Sequence, residues 1–141
     1  MFKEGAIMII RYTTPYHNFV LPFKADEIAE LDITYSQNGK EICAKSKDDV
    51  IITDIEDLIK NASMGQEGYI EIVTSEADDP LNSCVVKLRL TQEETSQFTF
   101  YRAEEKNIAL VQIRLRHVNT DAFNSRPIKI RVYGSLSEGV L

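Results

Sequence analysis

The chain has 141 residues and a formal net charge of −6 at pH 7, with 43% hydrophobic and 27% charged residues. This length fits one domain, and the composition is that of a globular protein rather than a disordered one. The acidic balance argues against a nucleic-acid partner, because affinity for phosphate depends on cation density. No apolar run approaches the roughly 20 residues that a membrane helix needs, which argues against a membrane partner. We therefore expect a single soluble domain over residues 1–141.

The predicted elements, in chain order, are mostly strands. The short apolar run at residues 6–10 predicts a first core strand rather than a secretory signal, which would need a longer apolar region. Strict alternation of apolar and polar residues is the sign of a half-buried strand, and it is clearest near the end of the chain. Besides the hairpin described next, strands are predicted at 6–12, 17–23, 50–53, 69–74, 86–90, 111–116 and 128–133, the last two forming an antiparallel pair across a longer loop.

The clearest local structure is a β-hairpin over residues 31–46. Alternating segments flank Asn38-Gly39, the preferred pair for a type I′ turn because both residues tolerate positive φ. A two-residue loop at this position sets the register of the two strands. The predicted pairs are Tyr35 with Ile42 and Ile33 with Ala44 on one face, and Thr34 with Cys43 and Asp32 with Lys45 on the other.

Helical signals are few and short. Thr53-Asp54-Ile55-Glu56 and Thr91-Gln92-Glu93-Glu94 are capping-box patterns, and each predicts one or two helical turns between strands. Residues 61–68 and 75–82 read as loops. Together these elements predict a mostly-β fold: an antiparallel β-sandwich, Ig-like or jelly-roll-like, of about eight strands with one or two short helices.

Residue types that carry chemistry form no known motif. The two cysteines, Cys43 and Cys84, lack the spacing of zinc ligands, and we expect reduced, partly buried thiols, with a disulfide as the alternative if their strands are neighbours. His17 and His117 are the only histidines, and both are predicted to be surface or edge residues. The acidic cluster of Glu76, Asp78 and Asp79 lacks the glycine of a calcium loop and is read as a solvated turn. We therefore predict no catalytic residues, no metal site and no cofactor.

One surface feature is unusual for an acidic protein. The outward positions of three predicted strands are cationic, so that six cations would share one exposed face if those strands share a sheet. This face has two readings: a solvated sheet surface, since long basic side chains cover apolar area well, or a contact surface for an acidic partner such as a second copy of the chain. The residues are Lys87, Arg89, Arg114, Arg116, Lys129 and Arg131.

Several segments together carry a resemblance to a protein group. They are Arg11-Tyr-Thr-Thr-Pro15, Phe19-Val-Leu-Pro-Phe23, Leu31-Asp-Ile-Thr-Tyr-Ser-Gln-Asn-Gly-Lys40, Lys87-Leu-Arg-Leu-Thr-Gln-Glu-Glu94 and Gly139-Val-Leu141. In this order they resemble small proteins encoded among the structural genes of phages and prophages of gut Firmicutes. Relative to the shorter members of that group, residues 54–82 of this chain look like an insertion. The resemblance implies a β-sandwich made in the cytoplasm and then associated with the virion, in its tail or baseplate, but no site residues.

Three functions therefore remain open at this stage. The first is a non-catalytic phage structural or assembly module that contacts itself or other virion proteins. The second is a module that binds cell-surface carbohydrate through Tyr12, Tyr16, Tyr69, Tyr101 and Tyr133, which should then share a concave face. The third and least favoured is an enzyme, which would need a deep pocket lined by acids with shifted pKa values.

Overall fold

The computed structural model describes residues 7–101 and 107–134, which form nine strands and three α-helices. The strands are β1 (Met8–Ile10), β2 (Tyr16–Leu21), β3 (Ile28–Gln37), β4 (Lys40–Ser46), β5 (Ile51–Asp54), β6 (Cys84–Arg89), β7 (Ile108–His117), β8 (Ala122–Asn124) and β9 (Ile128–Tyr133). The helices are α1 (Ile55–Lys60), α2 (Glu67–Glu76) and α3 (Gln92–Ser96). None of the helices in these ranges is long and apolar enough to cross a membrane.

The strands form two sheets that pack face to face, which confirms the predicted mostly-β sandwich. The larger sheet, sheet A, has the order β1-β9-β7-β3-β4, with β8 paired to the far end of β7. The smaller one, sheet B, has the order β2-β6-β5. Every strand pair is antiparallel except β1 with β9, which is parallel. The predicted antiparallel pairing of residues 111–116 with 128–133 is confirmed in part, because β9 pairs with the start of β7 and β8 with its end.

The main core lies between the sheets, and a second cluster lies outside sheet B. Alternating residues of β3 and β7, such as Ile33 and Ile113, are fully buried against Phe19 and Val86 of sheet B. The remaining face of sheet B is also apolar at one end, where α1 and α2 cover it. There Val20 and Val85 of the strands pack with Ile55 and Val73 of the helices. The fold therefore has a partial third layer, and the strands beneath it are buried on both faces.

The hairpin turn is confirmed, but the predicted register beyond it is wrong. Asn38 has φ 55° and Gly39 has φ 76°, as a type I′ turn requires, and Ser36 pairs with Glu41 next to the turn. The ladder then shifts at a β-bulge: the extra residue Ile42 has no partner, and Tyr35 pairs with Cys43. The shift moves every later pair by one residue. Ile33 therefore pairs with Lys45 instead of Ala44, Thr34 with Ala44 instead of Cys43, and Asp32 with Ser46 instead of Lys45.

Because of this shift, Lys45 lies opposite the buried residue Ile33, and its side chain forms an ion pair. Its Nζ donates to Glu94 Oε1 at 2.8 Å, and the two side chains are 13% and 22% exposed. Glu94 is also the last residue of the predicted capping box, which is confirmed: Thr91 Oγ1 accepts from the Glu94 amide, and the Thr91 amide donates to the Glu94 carboxylate. Burial raises the pKa of Glu94, but its hydrogen bonds from Lys45 and Thr91 outweigh this, and its pKa lies below the ordinary value. The ion pair between Lys45 and Glu94, which the shifted register allows, thus connects β4 to α3.

Two other local predictions are wrong. Residues 69–74, predicted as a strand, lie in α2, which also takes up parts of both segments read as loops. Tyr69, Ile72 and Val73 fall on one side of this helix at helical spacing, and Val73 packs on sheet B. The capping box at Thr53 does not form, because the helix begins one residue later with Asp54 at its N-cap. Asp54 instead accepts a hydrogen bond from the Ala25 amide at 2.7 Å.

His17, predicted to be a surface or edge residue, lies on the edge strand β2, but its side chain is part of the core and not of the surface. It lies on β2 in phase with Phe19 and is only 3% exposed. Its Nε2 lies 2.9 Å from the Met8 carbonyl oxygen, which can only accept, so Nε2 carries a proton. In the neutral ring Nδ1 then accepts from the Tyr35 hydroxyl at 2.6 Å. Burial lowers the pKa of His17, so this neutral pair connects β1, β2 and β3.

Candidate binding surface

The six predicted cations lie on two opposite faces, because β6 belongs to a different sheet from β7 and β9. Lys87 and Arg89 project from the outer face of sheet B, since their neighbours Val86 and Leu88 point into the core. The other four project from the outer face of sheet A. The condition for a single basic face, that the three strands share a sheet, is therefore not met. The four cations on sheet A are Arg114, Arg116, Lys129 and Arg131.

Acidic residues of β3 offset part of the charge on sheet A. Arg114 lies opposite Asp32 and Arg116 opposite Glu30 in the antiparallel ladder. The Arg116 guanidinium also donates a hydrogen bond to Glu30, which holds the pKa of that carboxyl below its ordinary value. Both side chains are well exposed, so the pair contributes little to stability. This face is a mixed-charge surface rather than a basic one.

The outer face of sheet B carries the more distinctive arrangement. Tyr16 at the start of β2 is 57% exposed, and two cations of β6 lie over its ring. Lys87 Nζ is 4.8 Å and Arg89 Cζ 5.5 Å from the ring centroid, within the range of cation–π attraction. Beside them, Tyr69 of α2 donates from its hydroxyl to Asn18 Oδ1 at 3.3 Å. Aromatic, cationic and amide groups thus meet where the helix crosses the strands.

Two grooves flank Tyr69 on this face. The first, about 430 Å³, runs between the edge of β2 at residues 15–18, Ile7 and Met8 near β1, and the side of α2 that presents Ile72 and Glu76. The second, about 450 Å³, lies towards β5 and the start of α2, and it is lined in part by Ile51 and Lys87. Ile72 is 59% exposed and Ile51 65% exposed, so apolar side chains rise from both grooves. We call the first one the β2 groove.

The predicted tyrosine set is divided in the same way as the cations. Tyr16 and Tyr69 both line the β2 groove. Tyr133 lies instead on the outer face of sheet A, and Tyr12 follows β1, with the Arg11 guanidinium 5.1 Å from its ring centroid. Tyr101 is the last residue of the first described range and is also exposed. The structure therefore brings two of the five tyrosines together, and one of these carries two cations over its ring.

The cysteines and His117 are in environments that do not favour nucleophilic or acid–base chemistry. Cys43 on β4 and Cys84 on β6 are free thiols in different sheets, and burial raises the pKa of each to about 12. His117 Nε2 lies 2.9 Å from Glu27 Oε2, and this contact lowers the pKa of the carboxyl. Within residues 7–101 and 107–134, no three His, Cys, Asp or Glu side chains are placed to hold a metal ion. The acids that the sequence grouped at residues 76–79 end α2 and begin the next turn.

Sequence reasoning missed the α2 side of the surface, although a signal for it was present. Phe19-Val20-Leu21 and Cys84-Val85-Val86 are unbroken apolar runs in strands that otherwise alternate. A strand with apolar residues on both sides must be covered on both faces. The two runs therefore indicated that another element packs on the outer face of sheet B, and α1 and α2 do so.

No known family matches the chain, and no curated protein is significantly similar to it in sequence. The grooves and their side chains therefore carry the functional argument.

Proposed function

We propose that the protein is a non-catalytic assembly module of the phage structural type, acting through protein–protein contacts on the outer face of sheet B. The observation that carries this proposal is the surface around the β2 groove. It places an exposed aliphatic residue, Ile72, beside Tyr16 and Tyr69, with Arg89 next to the Tyr16 ring, and tyrosine and arginine are enriched at protein interfaces. The resemblance to small proteins encoded among phage structural genes, which rests partly on segments that overlap β2 and β6, supports the same function.

The electrostatics of the described residues support a binding role over a catalytic one. Every carboxyl whose pKa departs from its ordinary value has it lowered, as at Glu30 and Glu56, which suits an ion-pair partner. A general acid in glycoside hydrolysis needs the opposite shift. The two thiols, whose pKa values are raised to about 12, and the core histidine His17 are similarly unsuited to nucleophilic attack or proton transfer on a substrate.

A second candidate function is recognition of cell-surface carbohydrate. It is favoured by Tyr16, Tyr69 and Asn18, which place two rings and an amide in one groove. Sugars bind by stacking on open aromatic faces, however, and the ring of Tyr16 already has Lys87 and Arg89 over it. Contact with a protein therefore explains more features of this surface than sugar binding does.

Virion association can be tested in induced cells of the source strain. We expect the wild-type protein to sediment with phage particles on a density gradient. Ile72→Asp, which places a charge on the proposed contact, should reduce the amount in particles about tenfold or more. Val118→Asp is the matched control, since Val118 is 58% exposed on a turn of sheet A. A wild-type protein absent from particles would contradict the proposal, and binding to purified cell walls that Ile72→Asp abolishes would favour the carbohydrate function.

A further inference from the structure

The hydrogen-bond pattern of β2 leaves part of its backbone open. Leu90 donates from its amide to the Pro15 carbonyl oxygen at 3.0 Å, which makes these two residues a hydrogen-bonded position of the antiparallel ladder. Such positions alternate along a strand, so His17 and Phe19 bond to β6. The amide and carbonyl groups of Tyr16 and Asn18 then point away from β6, towards the free edge. Among the described residues, no second strand pairs with β2.

The β2 groove follows this open edge. Residues 15–18 form one wall, and Ile7 and Met8 form the opposite one. Ile72 and Tyr69 of α2 stand above it, at the outer face of the sheet. An extended chain in the groove would place its backbone groups against Tyr16 and Asn18, while alternate side chains would face Ile72 on one side and Met8 on the other. The groove thus has the shape and the polar groups of a site for one added strand.

Charges of both signs lie beside the groove: Glu76 lines it on the α2 side, and Lys87 and Arg89 lie over Tyr16. The position opposite Tyr16 is therefore the one that favours an acidic residue in the added strand. Tyr16 pairs with Arg89 across β2 and β6, so an added residue opposite Tyr16 would stand in the same row. Lys87 and Arg89 already reach over the Tyr16 ring towards this edge. Neither cation forms an ion pair with a carboxylate among the described residues, whereas Arg116 on sheet A does. An acidic side chain at that position would lie within reach of both exposed cations, and hydrogen bonds between charged groups are stronger than neutral ones.

From this arrangement we infer that the β2 groove binds an extended acidic–apolar peptide segment of a partner protein, which adds to sheet B as a fourth strand beside β2. This inference rests on the proposed function and specifies its partner. Backbone hydrogen bonds to Tyr16 and Asn18 supply affinity, and Lys87 and Arg89 select a carboxylate.

A synthetic peptide rich in valine, with a single glutamate to lie opposite Tyr16 and capped at both ends, is a suitable probe. Titration into the 15N-labelled full chain should shift the amide signals of Tyr16 and Asn18 and slow their exchange with solvent. The same peptide with N-methyl groups on alternate residues cannot donate along one edge, and it should bind about tenfold more weakly. Glutamate-to-lysine replacement in the peptide should weaken binding by a similar factor.

Matched protein variants separate the two sheets. Lys87→Glu with Arg89→Glu should reduce affinity for the acidic peptide about tenfold, whereas Arg114→Glu with Lys129→Glu on sheet A should leave it unchanged. Equal binding of the N-methylated peptide, or shifts confined to sheet A, would overturn strand addition. The same is true of a peptide that leaves the amides of Tyr16 and Asn18 unmoved. Peptide binding tests strand addition, and particle association of the wild-type protein tests the assembly function, so either proposal can fail without the other.

Discussion

The buried pair of His17 and Tyr35 yields the most quantitative prediction for the fold. Tyr35 is fully buried, and its hydroxyl donates to His17 Nδ1 at 2.6 Å. Tyr35→Phe keeps the ring, which packs edge-on against Phe98 at 6.3 Å, and removes only the donor. The imidazole nitrogen is then left without a partner in a core where His17 is 3% exposed. An unsatisfied buried acceptor costs about 1–3 kcal/mol, so the free energy of unfolding should fall by that amount.

Urea unfolding followed by far-ultraviolet circular dichroism measures this change without depending on tyrosine fluorescence. For a chain of this size, about 1–3 kcal/mol corresponds to a decrease in Tm of roughly 3–10 °C. Tyr133→Phe is the matched control, because Tyr133 is 40% exposed on β9, and its change should stay within about 0.5 kcal/mol. Equal stability of the two variants would refute the reasoning that the hydroxyl satisfies His17.

Three further predictions concern pH, an ion pair and the thiols. Burial lowers the pKa of His17 from 6.5, so the stability that the neutral ring contributes is full above pH 6.5 and is lost as the pH falls towards the folded-state pKa. The loss is at most about 1.4 kcal/mol per pH unit. In His17→Gln the free energy of unfolding, measured with urea, should change less between pH 6.5 and 5, and an unchanged slope would contradict this. Lys45→Met should cost about 1–3 kcal/mol in urea unfolding, but much less when combined with Glu94→Leu, and additive losses would show that the pair is not coupled. Cys84 is buried and Cys43 partly buried, and burial raises the pKa of each thiol to about 12, so both should react with a disulfide reagent at pH 8 much more slowly in the native protein than after unfolding; equal rates would contradict this.

The sequence predicted those features that local chemistry determines. The turn at Asn38-Gly39 and the helix start at Thr91 depend on a few neighbouring residues, and both are as expected. The register beyond the turn also depends on distant groups. The bulge at Ile42 brings Lys45 to Glu94, which lies 49 residues away along the chain, and no local pattern contains that contact.

The candidate surface was predictable in part. Alternation identified Lys87 and Arg89 as outward residues, and the tyrosine set included Tyr16 and Tyr69. Which sheet each strand joins is decided by packing between distant segments, so the six cations could not be assigned to faces from the sequence. The period of residues 69–74 was ambiguous as well, because short runs of β-branched residues fit a strand or a helix equally well.

We propose that the surface beside β2 contacts a protein of a phage particle. The most direct measurement is photo-crosslinking in induced cells, with a benzophenone amino acid in place of Ile72 and, as a control, in place of the equally exposed Val118. Mass spectrometry of the products should identify one particle protein joined through position 72 and none through position 118. The same products from both positions, or no particle protein joined at position 72, would contradict the claim.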